Sequence, residues 1–464
     1  MYAIDTPIDH NKMPMTPTQA PTPQDPRRMR TVWWILTLAT LGLIFDGYDL
    51  VVYGAVVSTF LRDDSQIGSV TPHIAGTLGS YALFGVALGA LLAGSVGDII
   101  GRRKVMLASY AWFSVGMALT AMTHSTDAFG WMRFATGLGI GSLVATTAAL
   151  VAEYAPRDKK NLFIAISNGG IPLGSMMSAM LAIALMQHIG WRGMFWIGAL
   201  PVLTLLPLAY FKMPESVAWL AARGRTAEAQ ALSQRTGVPL PLASTSTPSL
   251  ASTSTPGSTT VDPTQIRSGF AGLLGRYYLG PTLVLGCMSA TGLLLVYSLN
   301  TWLPELMLRA GYNTKGSLAF LAVLNGGSLF GAMAASRFAD RFGPKPVVAA
   351  SFVTGALALA LATLSLPLAA LLAVVAIVGL GTSGTQTLIY GFVANYYRTQ
   401  VRAAGVAWCA GFGRIGGIGG PILGSALIAA GLPLNTIFYV LACLAIAGAA
   451  LTLLVPLSRS AQAT

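Results

Sequence analysis

The chain has 464 residues, of which 54% are hydrophobic and only 9% charged, and its mean hydropathy is +0.65. A soluble domain carries about 25% Asp, Glu, Lys and Arg, so most of this surface cannot face water and a soluble enzyme is excluded. The formal net charge of +12 would raise nucleic acid as a partner in a soluble protein. Here the basic residues sit in short loops between apolar stretches, and no nucleic acid is expected.

Residues 1–31 form a polar, Pro-rich tail with no apolar core and no small-residue cleavage site, so no signal peptide is expected. From residue 32 onward, stretches of about 20 or more apolar residues follow one another, each long enough to cross the hydrocarbon of a bilayer. They predict an all-α membrane protein with spans at 32–60, 74–97, 104–123, 128–154, 161–187, 192–211, 278–308, 317–339, 346–366, 369–396, 402–429 and 434–457. Twelve is even, so both termini lie on one side. With that side cytoplasmic, the inner segments hold 22 of the 28 Lys and Arg residues and the outer loops four, as the positive-inside rule requires.

The spans fall into two bundles of six, residues 32–211 and 278–457, separated by a polar segment at 212–277 and followed by a short tail at 458–464. Within the separating segment, residues 214–235 read as one short amphipathic helix. The heptapeptide LASTSTP then occurs at 242–248 and again at 250–256, a composition expected to form a disordered linker. Cys287, Cys409 and Cys443 each lie in an apolar run, so neither a disulfide framework, a metal set nor a cofactor is expected.

The two bundles echo each other. Gly137-Leu138-Gly139 recurs as Gly379-Leu380-Gly381, an offset of 242 that also carries Asp98 to Asp340, Gly101 to Gly343 and Tyr154 to Tyr396. The loop after the second span reads Asp98-Ile-Ile-Gly101-Arg102-Arg103-Lys104, a tight Gly turn with a carboxylate and basic residues able to lock the ends of neighbouring helices. A weaker copy, Asp340-Arg341-Phe342-Gly343-Pro344-Lys345, follows the eighth span. A parallel six-span repeat with such a loop resembles the major facilitator transporters, whose substrate site lies near the midplane between the halves.

Charged residues inside spans are costly, about 2.5–3.5 kcal/mol each on insertion scales, and mark candidate sites. Span one holds Asp46 and Asp49. Their spacing places them on one helix face about 4.5 Å apart along the axis, with Tyr53 continuing that face. Two such carboxylates resist ionising together, so one is expected to exchange a proton near neutral pH. Span four carries Arg133, for which Asp46 or Asp49 is the obvious partner. Near the end of the same span, Glu153 is grouped with Asp46, Asp49 and Arg133 as a proton-coupling candidate, and reads either as an interfacial ion-pair partner or as part of the gate. Arg414 lies near the middle of span eleven, where either a span-one Asp or an anionic cargo must meet it, and cargo is the preferred reading. Tyr297, Asn300, Trp302, Asn325, Gln386, Tyr390 and Trp408 are the polar and aromatic residues expected to complete the pocket.

The string Asp46-Gly47-Tyr48-Asp49 with Gly54 beyond it resembles the aromatic acid:proton symporter family of the major facilitator superfamily. Phe45–Gly54, Ser80–Gly85 and Gly384-Thr385-Gln386 are similar to its benzoate transporters. The resemblance implies uptake of an aromatic monocarboxylate with protons across a bacterial inner membrane, by a chain expected to work as a monomer. It also implies roles for Asp46, Asp49, Asp98, Gly101, Arg102, Arg103 and Arg133. Other readings are a drug or metabolite efflux antiporter, faintly suggested by GGIGGPILG at 416–424, a sugar or organic acid porter, suggested by Pro214-Glu215-Ser216, and a nontransporting receptor.

Overall fold

The computed structural model describes residues 26–156, 160–240, 269–275 and 277–456. The duplicated heptapeptide and the C-terminal tail lie outside these residues, as does the N-terminal tail up to residue 25. The elements are all helical: α1 (Pro26–Phe60), α2 (Pro72–Ile100), α3 (Arg102–Ala121), α4 (Thr126–Tyr154), α5 (Lys160–Asn168), α6 (Gly170–Ala199) and α7 (Leu205–Lys212) in the first half. Three short helices follow, α8 (Val217–Ala222), α9 (Thr226–Thr236) and α10 (Phe270–Leu273). The second half comprises α11 (Leu279–Arg309), α12 (Thr314–Phe342), α13 (Pro344–Leu361), α14 (Leu368–Gly379), α15 (Thr385–Tyr396), α16 (Thr399–Ala429) and α17 (Leu434–Leu454).

Ten helical runs among the described residues are long and apolar enough to cross a membrane, and one of them, Leu162–Lys212, is 51 residues long. At about 1.5 Å per residue that run is more than twice the thickness of a hydrocarbon core, and it breaks at Gly190, whose backbone (φ 65°, ψ −176°) is not helical. It therefore makes two crossings. With α3, which is too polar to count by hydropathy alone but packs along α4, the total is the twelve expected from the sequence. The region read as one amphipathic helix is two, because Gly224 takes φ +72° between α8 and α9.

The internal repeat is visible in the packing. Gly137 lets α4 lie against the backbone of α2 at Ala82, and Gly379 does the same for α14 against α12 at Leu324. Gly139 faces Phe113 of α3, and Gly381 faces Gly355 of α13. Small residues at these crossings give close helix packing where no hydrophobic driving force between helices exists. Gly101 and Gly343 share one backbone conformation, φ 104°, ψ 152° and φ 86°, ψ 154°. Only glycine adopts it without strain.

The halves meet along three seams, α1 with α11, α2 with α16, and α6 with α12. Contacts on these seams gather toward the end opposite the Asp98 loop. Ser80 donates to the Ile418 carbonyl at 2.7 Å, Gly76 lies on Ser425, Gly79 on Pro421, and Gly54 on the Asn300 carbonyl. Toward the loop end, residues 91–100 of α2 and 332–342 of α12 are mostly exposed. The bundle is closed at one end and splayed at the other.

Candidate functional site

Among the cavities between the halves, one of about 80 Å³ gathers the charged residues of the spans: it is lined by Asp46, Asp49, Leu50, Tyr53, Gly79, Ala82, Leu83, Val86, Arg133, Val144 and Ile171, and by Tyr297, Thr301 and Arg414. The Asp46–Asp49 spacing brings both carboxylates to it, as the helical period requires. Gly47 between them is buried against the Ile171 carbonyl, and a Cβ there would collide with it. This glycine lets α1 seat closely on α6 and fixes the rotation of α1 that turns both aspartates inward.

Asp49 is ion-paired with Arg133 (Nη1 to Oδ1), and both are almost wholly buried, their side chains 5% and 3% exposed. Of the two partners open to Arg133, Asp49 is the one it takes. The Arg133 guanidinium also lies 5.7 Å from the ring centroids of Tyr53 and of Phe195, a second electrostatic shelter for the charge. The Tyr53 hydroxyl donates to the Ala75 carbonyl, so that ring is pinned with its face, not its hydroxyl, toward the guanidinium.

Across the cavity stands Arg414. It has no carboxylate within ion-pair distance among the described residues, and its electrostatic neighbours are the Tyr297 and Tyr390 hydroxyls and the Asp46 carboxyl. Asp46 is half-buried and forms no ion pair among the described residues. A fork of donors and a carboxylate from opposite halves thus face one space without neutralising each other directly. The walls between them are the apolar side chains of Leu50, Leu83, Val86, Val144 and Ile171. A cavity of about 150 Å³ admits a benzene ring, so a ring enters this one only as those side chains move apart.

Not every expected pocket residue reaches the cavity. Asn300 and Asn325 bond to each other, Nδ2 to Oδ1 at 2.9 Å, and to the carbonyls of Val296 and Leu321; their polar groups are spent on packing α11 against α12. Trp302 donates to the Pro421 carbonyl and Trp408 to the Thr282 carbonyl, so both indoles serve helix contacts. Gln386 reaches Ser289 on α11 at 3.2 Å and does not line the cavity. Tyr390 is near Arg414 without lining it. Thr301, which does line it, was missed because a lone Thr in an apolar run has no distinguishing signal.

The loop motif is a bracing site. Asp98 pairs with Arg102 at 2.6 Å, and Arg102 lies 3.6 Å from Glu153, which places Glu153 in the loop network and apart from Asp46, Asp49 and Arg133. Gly101 abuts the Glu215 carboxylate, which accepts from the backbone N–H of Arg103 and of Ser216, each at 3.0 Å. Trp219 of α8 and Arg223 just after it donate to the Asp98 carbonyl, and Tyr154 donates to the Glu215 carbonyl. Pro214-Glu215-Ser216, the segment that suggests a sugar porter in the sequence, clasps the start of α3. The second copy is built differently. Asp340 is exposed and unpaired among the described residues, and Lys345 instead donates to the Leu453 and Val455 carbonyls at the end of α17.

Residues 39–335 and 316–464 match the model of the Major Facilitator Superfamily. The chain is 32% identical to the "Benzoate transport protein" of Acinetobacter baylyi, over 86% of this chain and 84% of that one. It is 33% identical to the "Gentisate transporter" of Corynebacterium glutamicum, over 91% and 87%, and 32% identical to the "Gallate transporter" of Pseudomonas putida, over 90% of each. Among solved structures, the partially occluded inward open xylose transporter XylE from E. coli superposes with a TM-score of 0.70 at 18% identity, covering 92% of this chain and 98% of that one. At that identity the likeness concerns the fold. The chain belongs to the major facilitator superfamily and, within it, to the family of aromatic acid transporters, which are membrane carriers and not enzymes.

Proposed function

We propose that this chain takes up an aromatic monocarboxylate, with benzoate preferred, together with protons across a bacterial inner membrane by alternating access. The observation that carries the reading is Arg414, a guanidinium facing the cavity with no ion-paired carboxylate among the described residues, opposite Asp46 and the Asp49–Arg133 pair. Its planar fork suits a carboxylate bidentately, and the aliphatic walls suit an unsubstituted ring. The six-helix bundles at 32–211 and 278–457 are the bodies that rock, and both termini are cytoplasmic, so the splayed loop end faces the cytoplasm.

In this mechanism a proton reaching Asp49 dissolves its pairing with Arg133, whose charge then rests on the faces of Tyr53 and Phe195 and on the cavity. Asp46 is the second exchange site, opposite the bound carboxylate. One proton per monoanion moves no net charge, and the pH gradient supplies about 1.4 kcal/mol per unit. A second proton adds about 2.3 kcal/mol per 100 mV. The experiment is uptake of labelled benzoate by vesicles containing the purified chain, with and without a protonophore, with a hexose and a dye as alternative cargoes. Gradient-driven benzoate accumulation is expected, abolished in Asp49→Asn while exchange of benzoate across the membrane persists. Accumulation of the hexose or the dye in place of benzoate would overturn the reading, and undiminished accumulation by Asp49→Asn would remove the proton assignment.

A further inference from the structure

At the closed end, Glu305 of α11 is buried, its side chain 3% exposed, between two arginines that belong to different halves. Arg62, just beyond α1 in the first half, lies 2.9 Å from its Oε2, and Arg309, one turn along α11, lies 2.9 Å from its Oε1. Glu305 follows Pro304, which has no N–H to return to the Asn300 carbonyl one turn back. That carbonyl is met instead by α1 at Gly54, where any Cβ would collide with it. The backbone approach at Gly54 and the ionic contact at Arg62 are about 12 Å apart along a helix, and together they form the α1–α11 seam.

We infer that Arg62, Glu305 and Arg309 form a latch in which Arg62 holds the halves together at this end and Arg309 keeps Glu305 paired when Arg62 lets go. A buried carboxylate stripped of its only cation is strongly unfavourable. If Arg62 were the sole partner, opening this end would strand such a charge. Arg309 travels with Glu305 on the same helix, so the seam can part with the carboxylate still neutralised. The two arginines therefore act in opposite senses: Arg62 favours the closed end, and Arg309 lowers the cost of opening it.

The inference rests on the carrier reading, because it assumes that this end opens, but its readout needs no cargo. Hydrogen exchange measured by mass spectrometry on the purified full chain reports opening at the backbone of residues 54–62 and 300–309. Arg62→Ala is expected to raise exchange there by about fivefold, and Glu305→Gln to raise it similarly. Arg309→Ala is expected to lower it below wild type, with Arg309→Lys restoring wild-type exchange. Opposite shifts for Arg62→Ala and Arg309→Ala support the latch; shifts in the same direction, or none, overturn it. Benzoate uptake in the same preparations separates this outcome from failure of the cargo assignment, which would leave exchange unchanged and uptake absent in wild type.

Discussion

Arg414→Ala is the sharpest perturbation of the cavity, because it deletes a guanidinium that no carboxylate among the described residues neutralises within ion-pair distance. A hydrogen bond to a charged group contributes about 1.5–3 kcal/mol net. A carboxylate on the planar fork makes two, but Tyr297 and Asp46 already share the field of that guanidinium, so the gain is closer to one bond than to two. One such bond corresponds to about 10-fold to 150-fold in Kd. Benzamide supplies the control, since it keeps the ring and the shape of benzoate and removes the charge. Titration calorimetry on the purified protein should show wild type preferring benzoate over benzamide by roughly that factor. In Arg414→Ala the preference should collapse toward unity while benzamide affinity changes by less than about threefold, and Arg414→Lys should fall between. If Arg414→Ala still prefers benzoate by more than about tenfold, the carboxylate is held elsewhere, and Arg133 becomes the next guanidinium to test.

Asp49→Ala leaves Arg133 buried without its partner and should destabilise the protein by about 3–5 kcal/mol, read as a lowered thermal midpoint in detergent. The double change Asp49→Ala with Arg133→Met should recover most of that stability and none of the proton-driven accumulation, so recovery of both would show the pair to be only structural. Gly47→Ala drives a methyl into the Ile171 carbonyl and should cost about 1–3 kcal/mol, again as a drop in melting temperature; an unchanged midpoint would mean α1 seats differently. Glu215→Ala removes the acceptor of the Arg103 and Ser216 N–H groups, an end cap worth about 0.5–2 kcal/mol. Limited proteolysis should then cut between residues 214 and 236 faster than in wild type, with equal rates counting against the clasp.

The fold was legible because hydropathy and loop charge report directly on what a bilayer permits, and the offset of 242 turned twelve spans into two related halves. The ionic part of the site was also legible: Asp46, Asp49, Arg133 and Arg414 stand out because charge inside hydrocarbon is expensive, and all four line one cavity. Polar amides and indoles carry no such signal. Asn300 and Asn325 satisfy each other, Trp302 and Trp408 satisfy backbone carbonyls, and nothing in their spacing distinguishes that from facing a ligand. Glu305 escaped notice for a different reason. It sits at the end of a span, where acidic residues are ordinarily solvated, and the residue that ties it to the other half, Arg62, is 243 positions away.

Gly190 has a consequence for how the protein is made. It breaks the helix between two apolar segments joined by a polar connection of only a few residues, Gln187 to Arg192, leaving little for a ribosome-bound insertion machinery to hold in water between them. With so short a connection, the pair is expected to enter the bilayer as a single hairpin. An epitope tag, a protease site or a fused reporter placed there would be expected to disturb biogenesis rather than merely decorate a surface, whereas the polar stretch between the two bundles offers room for all three.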